Sequence, residues 1–561
     1  MNRSFSFTRT AFAGAASALA LGLFAVAAPR PAAACGGFFC ANVPVVQTKE
    51  GIIFGVDHTA QTVDATINIT YAGSAAEFAW LLPLVGEPTK IEVGATAAFA
   101  VVDRLTAPRF VITKTEEVGI CGPGTRSLGG IAGGFAPTAA EDASNSDGGV
   151  QVLSKAQVGP YDRVVLKGSD PNKVQEWLVM NGYRVTDDMM KTVRPYVAQG
   201  DVLLALKLRK DNDAGDIQPI RVYLPGTEAC IPIRMTAIAA QDDMDIMALV
   251  LSNNGRAIPQ NFNHVTPNLA RIDWLTRGSN YRQVIAAAAD EADGNAFTTE
   301  YAGPANIFKE QLYRVGQYNV ASLDATSFLD EFIQEVARQG LFSRRETAGI
   351  LSRNISDETF RIAGVDRMMF SNCPQCFISS FQRAAYDPSA AVAELEERII
   401  KPEISTQELL DKYSYATRLY TLISPEEMNV DPIFSYDAAL PAISNVHNAR
   451  MILDCGVGGS PGSAGVKVIL EEEGTTIAFD SNGQPDRTLL DKMPAASRIE
   501  QLATGTIIKD NRGSITDLLD EHNSLTQGCG CGTTGRSSDS AAGVAFVAML
   551  GLVLVARRRR S

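Results

Sequence analysis

Histidine is scarce in this chain of 561 residues, which has only His58, His264, His447 and His522. None lies in an HExxH or comparable helical spacing, so the signature of a zinc hydrolase is missing and each is expected as a surface or packed residue. There is no GxxxxGK[ST] phosphate loop either. The stretch from Cys455 to Gly462 is glycine-rich but lacks the Lys-Ser/Thr ending and is followed by a strand pattern, so no helix N-terminus would face a phosphate. Basic charge is short as well. Lys and Arg number 50 against 63 Asp and Glu, and discounting the seven arginines near the two ends takes the net charge from −13 to −20. Such a body repels a phosphate backbone, which argues against nucleic-acid binding. No internal repeat of fixed period occurs, so a solenoid is not expected.

Apolar material is plentiful. Hydrophobic residues make up 45% of the chain and charged residues 20%. At this length two to four domains are expected.

Both ends read as targeting signals. Arg3 and Arg9 precede the apolar stretch AFAGAASALALGLFAVAA, then PRPAAAC. This is the order of a secretory signal peptide, with cleavage expected after Ala34 and Cys35 as the first mature residue. A lipoprotein signal is the rival reading. At the other end, the sixteen residues Ala541 to Ala556 carry no charge and are followed by Arg557, Arg558, Arg559 and Arg560. As a helix they would reach about 24 Å, short of a hydrocarbon core of about 30 Å. The arginines place the C-terminus on the cytoplasmic side, as Arg3 and Arg9 place the N-terminus. Everything between is therefore expected outside.

The nine cysteines are Cys35, Cys40, Cys121, Cys230, Cys373, Cys376, Cys455, Cys529 and Cys531. In an exported chain disulfides are the default, and the first seven are candidates whose connectivity the sequence does not reveal. Cys373-Pro-Gln-Cys376 has the spacing of a redox pair but no strand-then-helix setting. A local structural disulfide is expected there rather than redox chemistry or a zinc site completed by Cys455 and His447.

Along the chain, TVDATINITY (62–71) alternates with period two and reads as a half-buried strand, and FAWLLPL (78–84) as a fully buried one. Ser169-Asp170-Pro171 starts a helix with Val174, Trp177 and Leu178 on its buried face, ended by Asn181-Gly182. Ser252-Asn253-Asn254-Gly255 suggests a hairpin. From about residue 306 the period becomes helical: Phe328, Leu329, Phe332, Ile333 and Val336 share a face that stops at Gly340. Helices are expected over 390–400 and 407–413, separated by Pro402. Strands return after 450. The expected class is α+β: a signal peptide (1–34), a β-rich region with an inserted helix (35–305), a mainly helical region (306–450), a small β unit (451–525), a Gly/Ser/Cys linker (526–540) and a terminal transmembrane sorting helix (541–561).

The acidic run Asp211-Asn212-Asp213-Ala214-Gly215-Asp216 is a weak calcium candidate through Asp211, Asp213 and Asp216. Counted as an EF-hand loop, its glycine is misplaced and Val222 occupies the last ligand position. Asp242, Asp243 and Asp245 form a second acidic cluster. No cofactor or resident metal is expected, and no catalytic residue is identified.

Two resemblances add to this. The linker GCGCGTTGRSSDS, the short apolar run and the arginines resemble the myxobacterial C-terminal sorting tail (MYXO-CTERM). That resemblance implies removal of the helix and anchoring through Cys529 or Cys531; a retained single-pass anchor is the alternative. CGGFFC (35–40), EFAWLLPL, VGPYD with EWLVMNGY, YLPGTEACIPIRMTAIAA, TEYAG and TRLYTLISPEEMNVDPIF together resemble the bacterial domain of unknown function 2330 family. It implies an exported envelope protein and supplies no catalytic residues. The sequence is thus expected to encode a surface-anchored, non-catalytic binding or structural protein, whose partners are the export and sorting machinery, the membrane and an external ligand. The alternatives are a tethered carboxylate-based hydrolase and an envelope thiol-disulfide protein.

Overall fold

The strand Thr62–Ala72 buries Val63, Ala65, Ile67 and Ile69 on one face, as its alternation requires. Ala79–Leu84 and Val202–Leu208 carry continuous apolar runs for a different reason. Trp80, Leu82, Leu84, Val202, Leu204 and Leu206 enter one core, while Ala79, Leu81, Leu203 and Ala205 enter another on the opposite face. These strands lie inside the protein, covered on both sides.

The computed structural model describes residues 46–72, 79–117, 150–183, 185–209, 217–454, 465–479 and 490–527. The fold is α+β, with a β-rich N-terminal region and helices in the middle. The expected signal peptide and sorting tail, and residues 528–540 of the expected linker, lie outside the described residues, among which no helix is long and apolar enough to cross a membrane.

A ten-stranded sheet runs in the order Thr506–Asp510, Ala496–Gln501, Asn263–Pro267, Ala296–Pro304, Tyr415–Ile423, Ala240–Ser252, Val46–Asp57, Thr62–Ala72, Ile220–Pro225, Lys90–Val93. A four-stranded sheet, Ala79–Leu84, Val202–Leu208, Tyr161–Gly168, Val150–Val158, packs on one of its faces. Pro83 sits in the edge strand of this sheet, where a residue without an N–H is tolerated. The helices Pro171–Met180 and Asp187–Gln199 cover its outer face through Val174, Trp177, Leu178, Met190 and Val193. On the far face of the large sheet lie the helices Thr96–Thr106, Tyr281–Asp290 and Lys401–Lys412. The order of layers is helix, sheet, sheet, helix. Gly55 permits one close approach in this stack, because a Cβ there would stand 2.4 Å from Leu409 and 2.8 Å from Tyr413 of the covering helix.

Several expectations are corrected. Ala240–Ser252 and Arg256–Pro259 do turn at Gly255 (φ 91°), but they do not pair as a hairpin. Both edges of the first strand are already taken by Val46–Asp57 and Tyr415–Ile423, so Arg256–Pro259 pairs instead with Ile433–Asp437. Helical structure in the middle region ends at Lys412. The next strand, Tyr415–Ile423, returns to the centre of the large sheet. The strands after 450 are not a separate unit: Val446–Asp454 pairs with Arg109–Glu117, and Ala496–Gln501 with Asn263–Pro267.

Pro402 does not separate two helices. Ser389–Leu395, a π-turn over Glu396–Ile400, and Lys401–Lys412 form one run. Pro402 has no N–H to give the carbonyl of Arg398 four residues earlier. That carbonyl accepts instead from Gln218 Nε2 at 2.6 Å, and Arg398 Nε donates back to Gln218 Oε1 at 2.9 Å. The Gln218 backbone is held as well: its N–H donates to Tyr161 Oη at 2.9 Å, and its carbonyl accepts from the same hydroxyl at 2.7 Å. All three residues are buried. Gln218→Ala removes both side-chain hydrogen bonds between Gln218 and Arg398, to its Nε and its carbonyl, each costing about 1–3 kcal/mol. Urea unfolding is expected to show a stability loss in that range or above.

Candidate functional site

Between the two sheets is a cavity of about 490 Å³. Its floor is the face of the large sheet, with Ile52, Phe54, Val63, Ala65, Ile67 and Val222. Leu82 and Leu84 of the smaller sheet's edge strand form its wall. Period-two alternation puts these side chains here, and the floor strands of the large sheet spend their backbone groups on pairing. The interior is therefore apolar, and its size falls within the roughly 300–1,000 Å³ of small-molecule sites.

The mouth is polar and comes from separate parts of the chain: Tyr196 and Asp201 around the end of a helix, Glu228, Cys230 and Arg234 around a two-residue strand, and Asp431 in a loop. Asp431 organises it. Its carboxylate accepts from the Arg234 N–H at 3.0 Å, Arg234 Nε at 2.9 Å and Tyr196 Oη at 2.8 Å, and the Arg234 guanidinium lies 4.4 Å over the Tyr196 ring. Asn261 clamps the same loop, donating to the Asp431 carbonyl and accepting from the Ile433 N–H, each at 2.8 Å. Asp201 and Glu228 differ: among the described residues neither side chain makes a hydrogen bond or ion pair. Burial raises the pKa of Asp201.

Cys230, a disulfide candidate from the sequence, stands here as a free thiol. Burial first, and then the nearby Asp431 charge, push its pKa up to about 12, so it is a thiol rather than a nucleophilic thiolate at neutral pH. No histidine is among the lining residues. Beyond Leu82 and Pro232, which also line the cavity, Glu50 is buried with Gln47 Nε2 at 3.1 Å and Thr236 Oγ1 at 2.8 Å donating to one carboxyl oxygen.

The other sequence candidates are scattered. Cys373 and Cys376 form a disulfide where the helix Arg367–Asn372 passes into the 3₁₀ turns Pro374–Phe381. The pair does not follow a strand. Cys35, Cys40, Cys121, Cys455, Cys529, Cys531, Ala34, the four terminal arginines, and Asp211, Asp213 and Asp216 lie outside the described residues. Asp245 of the second acidic cluster is held by Arg282 and by the Tyr420 hydroxyl. Among the described residues no group of three or more His, Cys, Asp and Glu could hold a metal ion. His264 is buried beside Arg256 and 3.0 Å from Thr299 Oγ1; burial and the two arginines near it lower its pKa to about 3. His522 is buried against the Ala478 carbonyl, His447 pairs with Glu472, and His58 meets the Tyr436 ring edge-on.

The mouth residues carry no motif in sequence. One signal was available: EFAWLLPL, YLPGTEACIPIR and MNVDPIF, three of the segments that carry the family resemblance, all converge on this cavity.

Glu50 generates a pH dependence. Burial lifts its pKa from the ordinary 4.5 to about 7. Between these values the folded protein binds more protons than the unfolded chain, so the Glu50 contribution is full below 4.5 and is lost as pH rises to about 7. The loss amounts to roughly 3 kcal/mol. His264 acts in the opposite sense, its contribution being present above 6.5 and lost as pH falls towards about 3. The stability difference between the parent and Glu50→Gln, measured by urea unfolding from pH 4.5 to 8, isolates Glu50. The parent is expected to lose stability relative to the variant as pH rises.

No curated protein matches the chain. Among solved structures, a chain of the crystal structure of the caspase-8/P35 complex is similar at 12% identity, covering 39% of this chain and 76% of that one, with a TM-score of 0.21. That likeness is too slight to carry a fold or a function. Residues 29–278 match the family described as "Uncharacterized protein conserved in bacteria (DUF2330)", and the match supports the resemblance to that family over the β-rich region that contributes the cavity floor and most of its mouth.

Proposed function

We propose that this is an exported, surface-anchored protein of the cell envelope that binds a ligand in the cavity between its two sheets without transforming it. The observation that carries the binding half is the state of the mouth. Asp431 is paired with Arg234 and Tyr196, Cys230 is held as a thiol, and the interior offers an apolar surface. A site of this kind has shape and apolar area, while its Asp431 is tied up in an ion pair and its thiol is not activated.

Export and anchoring rest on the sequence. The Ala-x-Ala site before Cys35 and the apolar run closed by four arginines are the two signals. The Cys373–Cys376 disulfide suits an oxidising compartment. A tethered hydrolase is the second reading, favoured by the unpartnered carboxylates of Asp201 and Glu228.

The intact mass of the protein purified from its own envelope tests the anchoring half. Loss of residues 1–34 and of the helix-arginine tail, with added mass on Cys529 or Cys531, is the expected result. An intact tail would replace sorting by a single-pass anchor, and a lipid on Cys35 would replace the signal-peptidase site by a lipoprotein one. A protein retaining residues 1–34 in the cytoplasm would overturn the reading.

A further inference from the structure

The cavity has an electrostatic asymmetry that narrows its ligand. Arg234 is the cationic side chain among the lining residues; its Nε and its backbone N–H donate to Asp431, and its Nη2 lies 2.8 Å from the same carboxylate. That pair is internally neutral. Asp201 and Glu228 are left over, without a hydrogen-bond or ion-pair partner among the described residues, on the rim of an apolar interior. Arg234 and Lys167 act on Asp201 only at a distance, so a carboxylate or phosphate brought to this mouth meets two carboxylates without a direct counter-ion and finds the lining cation already committed. A positive group meets the reverse. The floor, meanwhile, has no hydrogen-bonding side chain among Ile52, Phe54, Val63, Ala65, Ile67 and Val222, so whatever enters must be apolar.

We propose that the cavity takes a single-chain amphiphile, its aliphatic chain lying between the two sheets and a cationic ammonium head held at the mouth by Asp201 and Glu228. This rests on reading the cavity as the binding site. The chain supplies affinity by leaving water, and the head supplies selectivity through charge. The Asp431–Arg234–Tyr196 cluster positions the rim and does not contact the chain.

Isothermal titration of the full chain with hexyl-, octyl- and decyltrimethylammonium, below their micelle concentrations, tests this against the matching alkyl carboxylates. Affinity for the ammonium series is expected to rise about fourfold per added methylene. At equal chain length the ammonium head is expected to bind about tenfold tighter than the carboxylate, the size of one favourable charge contact near a protein surface. Ala65→Phe places a ring in the interior and is expected to abolish binding of both series, with an unchanged urea midpoint showing that it folds. Asp201→Asn with Glu228→Gln is expected to level the two head groups while leaving the chain-length increment intact. If Ala65→Phe does not fold, this double variant decides, because neither side chain holds a partner that its loss would strand.

The outcomes separate the two claims. If neither series binds, or Ala65→Phe binds as well as the parent, the cavity is not the binding site and the binding half of the proposed function falls with it. If the carboxylates bind as tightly as the ammonium compounds or more so, the cavity stands as a binding site and only the cationic head is overturned.

Discussion

One buried glutamine, Gln218, ties the helical segment to both sheets through polar groups. Gln218 uses both backbone groups on the Tyr161 hydroxyl and both side-chain groups on Arg398, so four polar groups at the meeting of three elements satisfy each other. Pro402, whose missing N–H leaves the Arg398 carbonyl without that helical donor, is consistent with this arrangement. Arg398 in turn holds Glu394, which holds Arg353. The helical core of Leu329, Phe332, Phe370 and Phe381 is therefore tied through one polar relay to the second sheet and to the strand after Gln218. A buried relay of this kind stabilises only when complete, since each unpaired member costs more than the pair contributes.

The same placement shapes the cavity. Two sheets that pack face to face normally close their shared core with side chains. Here Trp80, Leu204, Leu206 and Phe297 do so along most of the contact. Beside Leu82 and Leu84 a gap is left, closed at its rim by a salt bridge and a tyrosine. Burial explains both unusual titrating groups beside it. Glu50 and Cys230 keep their protons because the aliphatic surroundings penalise the charge.

Local chemistry was readable from the sequence where it was self-sufficient. Asp170 caps its helix by accepting from the Asn172 N–H, and Val174, Trp177 and Leu178 are buried as their spacing required. Leu329, Phe332, Ile333 and Val336 are buried together, and Gly340 takes the left-handed conformation that ends the turn. The Cys373–Cys376 disulfide was legible because its partners are three residues apart. The turn after Ser252 was legible too, but the strand that follows it was not placed correctly, because pairing is decided by which sheet edges are free. Pro402 misled for the same reason: its lost hydrogen bond is made good by a residue 184 positions earlier in the chain.

The sequence by itself determined several of the elements and their buried faces, the acidic composition and the scarcity of histidine, because each is written in composition or in contacts within a few residues. Only the tertiary structure decided that Tyr415–Ile423 sits in the middle of the first region's sheet, that Cys230 is unpaired, and that Asp201, Glu228, Arg234 and Asp431 share one mouth. These are outcomes of competition between distant segments for sheet edges and for burial. Neither propensity nor spacing records who wins that competition.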